Sequence, residues 1–77
     1  MSTFTTRPRT RTTELSRQRA YRSTDGRWKL IEVRSLVGLG DYWLLVRVLE
    51  SGEYVAARHR TRAAAERTFN RLRRIER

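Results

Sequence analysis

At 77 residues, with eighteen Lys and Arg against eight Asp and Glu, the chain carries a formal net charge of +10 and has no cysteine. This length holds one small domain with a thin core, and the lack of thiols excludes a disulfide framework or a thiolate metal site and suits a reducing cytoplasm. The longest apolar run, Tyr42 to Val46, is far short of the roughly 20 residues that cross a bilayer, and no apolar segment follows Met1, so neither a membrane span nor a secretory signal is expected.

Residues 3–13 contain only Phe4 and Pro8 besides threonine and arginine. Too little apolar surface is available there to offset ordering, which predicts a flexible basic arm over residues 1–12 carrying Arg7, Arg9 and Arg11. Thr13 can cap, and Glu14 can open, a short helix toward Arg22, and Ser23-Thr24-Asp25-Gly26 then signals a turn, so residues 13–26 read as a helical turn or two and a stop. From Arg27 the period becomes two. Lys29, Ile31 and Val33 alternate with Trp28, Leu30, Glu32 and Arg34, as in a strand. A connection containing Gly38 and Gly40 leads to a second strand-like stretch, Asp41 to Glu50, and Ser51-Gly52 predicts a two-residue hairpin loop before a third, Glu53 to Arg60. Thr61 is placed to cap a helix from Arg62 to about Glu76, whose apolar stripe is Ala65, Phe69 and Leu72 with Thr68 and Ile75 at its flanks. The expected fold is α+β: a three-stranded antiparallel sheet packed on one C-terminal helix over residues 27–77.

A Ser51-Gly52 loop sets Glu50 opposite Glu53 and divides the sheet into two faces. One is aliphatic, with Ile31, Val33, Tyr42, Leu44, Val46, Val48, Val55 and Ala57, and is expected to receive the helix stripe. The other gathers Trp28, Leu30, Glu32, Arg34, Trp43, Leu45, Arg47, Leu49, Tyr54, Ala56, Arg58 and Arg60. An open face that mixes aromatics with arginines suits a partner more than water. Arginine reads a guanine edge with two parallel hydrogen bonds, and aromatic rings contact sugars, thymine methyls or unpaired bases. The competing readings are that the N-terminal segment folds over these rings, or that two copies pair through them.

The charges support an anionic partner. All the cations except Lys29 are arginine, and they crowd the two ends, with Arg7, Arg9, Arg11, Arg17, Arg19 and Arg22 at one and Arg58, Arg60, Arg62, Arg67, Arg71, Arg73, Arg74 and Arg77 at the other. Self-repulsion on this scale disfavours compaction unless a polyanion neutralises it. Arg67, Arg71 and Arg74 form a like-charge row at helical spacing that phosphates would relieve, although cations in the last turns also complement the helix dipole.

The stretches Trp-Lys-Leu-Ile-Glu-Val-Arg at 28–34 and Gly-Glu-Tyr-Val-Ala-Ala-Arg-His-Arg-Thr-Arg-Ala-Ala-Ala-Glu-Arg at 52–67 resemble the arm-type DNA-binding domain of phage and transposon tyrosine integrases and the plant ethylene-response-factor domain. The resemblance covers about residues 27–75. It implies that the sheet face away from the helix enters a major groove, with Arg34, Trp43, Arg47, Arg58 and Arg60 as contacts. No catalytic segment follows within these residues, and the basic arm has no counterpart in those families. An αβββα order would also look like a double-stranded-RNA-binding domain, without its glycine-rich strand-to-helix connection.

Other chemistry finds little support. His59 is the only histidine and sits beside the helix start, as a structural residue would; Gly38-Leu39-Gly40 has no following helix to cradle a phosphate; and Glu50 with Glu53 at a hairpin tip lacks a cleft. No enzyme, cofactor or metal is expected. The reading is a small nucleic-acid-binding protein of phage, mobile-element or bacterial type. It would meet duplex DNA through Trp28, Arg34, Trp43, Arg47, Tyr54, Arg58 and Arg60, with Arg7, Arg9, Arg11, Arg67, Arg71 and Arg74 on phosphates. The alternative is a protein-interaction module that seizes an acidic protein with the same aromatic face, since aromatics and arginine also dominate such interfaces.

Overall fold

In the computed structural model, which describes residues 3–76, five strands precede one helix: β1 (Arg9–Thr12), β2 (Ser16–Arg22), β3 (Trp28–Ser35), β4 (Tyr42–Leu49), β5 (Gly52–His59) and α1 (Arg62–Ile75). The strands form one antiparallel meander whose spatial order is the chain order. Among the described residues, no helix is long and apolar enough to cross a membrane.

The expected three-stranded sheet is therefore corrected to five strands. The two added strands come from the segment read as a flexible arm and a short helix. Residues Arg9 to Thr12 pair with Arg17 to Ala20, and Ser16 to Arg22 pair with Lys29 to Ser35 of β3. Thr13 does act as a capping residue, but of a hairpin turn: its hydroxyl accepts from the backbone N–H groups of Leu15 and Ser16 at 3.3 and 3.1 Å. The same local chemistry that starts a helix here closes β1 onto β2, and the seven-residue ladder to β3 then outweighs a helix with almost no apolar stripe.

The second correction concerns the face that meets the helix. Phe4, Trp28, Leu30, Leu45, Ala65 and Phe69 form one buried cluster, bordered by Tyr21, Trp43, Ala56, Ala57 and Leu72. The helix thus covers the tryptophan face, and the aliphatic face is the one left open. Aromatic side chains bury about 150–250 Å² each, so covering Trp28 and Trp43 removes more apolar surface from water than covering the valines would.

A β-bulge makes the closure possible. The β4–β5 loop is Glu50-Ser51, one residue earlier than expected, because Leu49 pairs with Gly52 and Val46 with Val55; Leu45 then pairs with Ala57, leaving Ala56 as an extra residue. Two adjacent alanines come to border the core beneath α1, where larger side chains would hold the helix off. Beyond the bulge the alternation is inverted, so Arg58 lies on the open face, with its guanidinium 4.1 Å from the Tyr42 ring centroid.

Phe4 completes the core. It is only 3% exposed, its ring centroid lies 4.9 Å from that of Phe69 at 60°, and Phe69 meets Trp28 at 5.6 Å and 81°. The segment is anchored by an antiparallel bridge from Phe4 to Ser23. The Ser23 hydroxyl donates to Asp25 Oδ1 at 2.7 Å and accepts from Trp28 N at 3.0 Å, and Asp25 Oδ1 also accepts from Arg27 N. At the other end of the core, Thr61 caps α1 by accepting from Ala64 N at 3.2 Å, as its position predicts.

Two outcomes follow from this packing. Phe4→Ala should lower unfolding free energy by about 3–5 kcal/mol, the usual cost of emptying a buried Phe site, as measured by urea titration followed by circular dichroism; a flexible arm would give no change. The Ser23 hydroxyl and the Arg27 N–H hold the Asp25 carboxyl below its ordinary value of 3.8. A depressed acid stabilises the fold above its unfolded pKa, so the stability gap between wild type and Asp25→Asn should be full at neutral pH and close as pH falls below that value.

Candidate nucleic-acid interface

The residues expected to form one groove-binding surface are dispersed. Trp28 is 3% exposed beneath Phe69 and cannot touch a ligand. Arg47, with its side chain 13% exposed, is a structural residue: Nε donates to Glu76 Oε1 at 2.8 Å, and Nη1 donates to the carbonyls of Arg27 and Val48 at 3.1 and 2.7 Å. Its guanidinium also stands 5.3 Å from the Trp28 ring centroid. Trp43 is half-buried, stacked on Tyr21 at 6.2 Å, and Arg62 lies over both rings. Tyr54 remains exposed opposite Arg47 in the ladder. Arg34 is exposed, 3.6 Å from Glu32. Arg58 lies on the other face, and Arg60 is exposed at the turn into α1.

Arg67, Arg71 and Arg74 are all exposed. The helix buries Ala65 and Phe69, so the helical spacing turns this row directly away from the sheet. No ligand lying on the open face can reach it. His59 accepts from or donates to the Thr68 hydroxyl at 2.8 Å, which ties β5 to the helix, and no cluster of three metal-ligating side chains occurs among the described residues.

What the structure does bring together is a basic ribbon. β1 and β2 pair at the edge of the sheet and carry Arg9, Arg11, Arg17, Arg19 and Arg22 with no acidic residue in either strand. The ladder places Arg9 beside Ala20 and Ile31, Arg11 beside Gln18 and Val33, and Arg22 beside Lys29. Those three arginines accordingly share the open face, and Arg17 and Arg19 share the helix-bearing one. The ion pairs of the described residues engage Lys29 with Glu53, Arg34 with Glu32, Arg47 with Glu76, and Arg62 with Glu66. None involves the ribbon.

Its five arginines and Arg7 thus form no ion pair among the described residues, although Arg19 stands opposite Glu32 in the ladder; Arg47 and Arg62, by contrast, are engaged by carboxylates and rings within the fold. The open face beside the ribbon is an aliphatic floor of Ile31, Val33, Leu44 and Val46, the two valines only 4% exposed. The sequence places Arg7, Arg9 and Arg11 on phosphates as a flexible arm, but does not single out Arg17, Arg19 and Arg22 or the pairing of the two strands. Its signal was the period-two alternation Arg9-Thr10-Arg11-Thr12 answered by Arg17-Gln18-Arg19-Ala20, obscured by the lack of apolar residues in the first and their scarcity in the second.

Comparison with protein-family models, with curated proteins and with solved structures finds no match to this chain.

Arg47 supplies the sharpest contrast with the groove-contact expectation. Arg47→Ala removes the hydrogen bonds to Glu76 and the Val48 carbonyl and leaves the Arg27 carbonyl only the Val48 N–H, so it should lower stability by about 1–3 kcal/mol. Once the protein is folded, as judged by circular dichroism, its affinity for duplex DNA should match wild type in an anisotropy titration. A folded Arg47→Ala protein with greatly weakened binding would contradict this placement.

Proposed function

We propose that the chain binds duplex DNA by laying the β1–β2 ribbon into the major groove. The observation that carries this reading is the edge ribbon itself, with five arginines, no acidic residue and no internal ion pair. The major groove of B-form DNA is about 12 Å wide and admits a two-stranded ribbon. Paired strands lie about 4.8 Å apart, and their side chains project to both sides, so the open-face and helix-side arginines can meet opposite walls of one groove. Thr10, Thr12, Gln18 and Ser16 alternate with the arginines and add short donors and acceptors for base edges and phosphates. The deep, narrow major groove of A-form RNA would not admit the same ribbon, which favours DNA over double-stranded RNA.

This proposal keeps the polyanion partner and changes the contact surface. The Trp/Arg face is unusable because α1 and Phe4 occupy it, and the pairing of two copies through those rings is blocked for the same reason. The helix row Arg67, Arg71 and Arg74 contributes to the long-range positive field rather than to the ribbon's contact.

With about five phosphates neutralised, the log-log slope of the binding constant against salt should be near −4.5, at about 0.9 per contact. The double variant Arg9→Ala with Arg11→Ala should reduce duplex affinity by about tenfold or more, while Arg71→Ala should change it less than about threefold. Equal losses from the two, or binding that does not vary with salt, would remove the ribbon from the account and favour an acidic protein as the partner.

A further inference from the structure

One end of the open face holds more positive charge than an internal phosphodiester requires. Thr5, Arg7, Arg9, Ala20, Arg22 and Lys29 line a single pocket of about 240 Å³. Ala20 lies between Arg9 on β1 and Ile31 on β3 in the ladder, and two residues along β2 Arg22 pairs with Lys29. The floor is therefore a methyl group, and the walls are guanidinium and ammonium groups from three strands and the segment before β1. Thr5 is fixed there by its N–H, which donates to Arg22 O at 3.0 Å, and by its hydroxyl, which accepts from Arg22 N at 3.3 Å. Only Lys29 is compensated, by Glu53 on β5. The three guanidinium groups have no ion-pair partner among the described residues.

We propose that this pocket is a site for a phosphate dianion, a phosphomonoester such as the phosphorylated end of a nucleic-acid strand. An internal phosphodiester carries one charge, whereas a phosphomonoester carries about 1.5 to 2 at neutral pH and offers three strong acceptor oxygens. Three unpaired guanidinium groups, each a planar fork of donors, match that number of acceptors and that charge. The small floor sets the depth: with a methyl group at Ala20, a tetrahedral anion can sit down between Arg9 and Arg22, where a longer side chain would fill the space. The proposal rests on the nucleic-acid reading for its ligand and shares Arg9 and Arg22 with the ribbon, while Thr5, Arg7, Ala20 and Lys29 belong to the pocket alone. The pocket lies where β1 enters the sheet, so a strand end held there continues naturally along the ribbon.

The test is an anisotropy titration of the full chain with one duplex sequence prepared in three forms, bearing 5′-phosphate, 5′-hydroxyl or 3′-phosphate ends, together with a covalently closed circle as competitor and inorganic phosphate as the free anion. A phosphorylated end should bind about tenfold tighter than a hydroxyl end, the size expected for additional charge-assisted contacts. Arg22→Ala should abolish that difference, and Ala20→Leu should abolish it while leaving every arginine in place; both substitutions lie on a half-buried or exposed surface, and circular dichroism confirms the fold. Arg58→Ala, on the opposite edge strand of the open face, should leave the difference intact.

Equal affinity for phosphorylated and hydroxyl ends, with duplex binding retained, overturns the pocket and leaves the ribbon reading standing. Binding of inorganic phosphate that Arg22→Ala removes, without binding of any duplex, supports the pocket as a small-anion site and overturns the ribbon reading. No binding of either kind overturns both.

Discussion

The contact on which this structure depends is the aromatic junction of Phe69 with Trp28 and Phe4. It decides which side of the sheet the helix occupies, and with that which arginines remain available. Phe69 projects from the middle of α1 onto Trp28 at the start of β3, and Phe4 seals the same ring from the N-terminal side. Seen from the sheet, the helix and the residues before β1 share the work of covering one face. A chain this short buries a smaller fraction of its surface than a larger domain does, so few contacts are dispensable.

The placement sorts a uniform-looking set of arginines into two roles. Arg47 and Arg62 lie against aromatic rings and carboxylates, and Arg47 satisfies two backbone carbonyls besides; their stems pack and their charges are spent inside the fold. The arginines of β1 and β2 project from an edge without acidic neighbours in either strand. An edge strand is ordinarily a hazard for unwanted pairing, and arginine along it is one of the ways that hazard is suppressed. Suppressing aggregation and attracting a polyanion call for the same residues, so the ribbon can serve both ends.

The last three strands and the helix were legible because local chemistry dictates them: the alternation in β3, the turn residues near Ser51, the Thr61 cap and the Ala65-Phe69-Leu72 stripe all act within a few residues. The facing of the sheet was not. Both faces carry enough apolar surface to receive a helix, and the choice between them depends on Phe4, far along the chain from the Trp28 and Leu30 it packs with, and on a bulge at Ala56. A bulge between two alanines leaves no pattern in the sequence, yet it moves Arg58 from one face to the other and shifts Ala57 beneath the helix. The β1–β2 ribbon was illegible for a different reason. Arg-Thr alternation resembles a disordered composition until the Thr13 turn and the β3 ladder supply its hydrogen-bond partners.

The most direct measurement is a two-dimensional amide and indole NMR titration of the protein with a short DNA duplex. The largest shifts should fall on β1 and β2, around Arg9, Arg11, Gln18 and Arg22, while the Trp28 indole resonance stays in place beneath Phe69. Shifts centred on the Trp28 indole, Arg47 and Tyr54, with β1 and β2 unaffected, would contradict the ribbon reading.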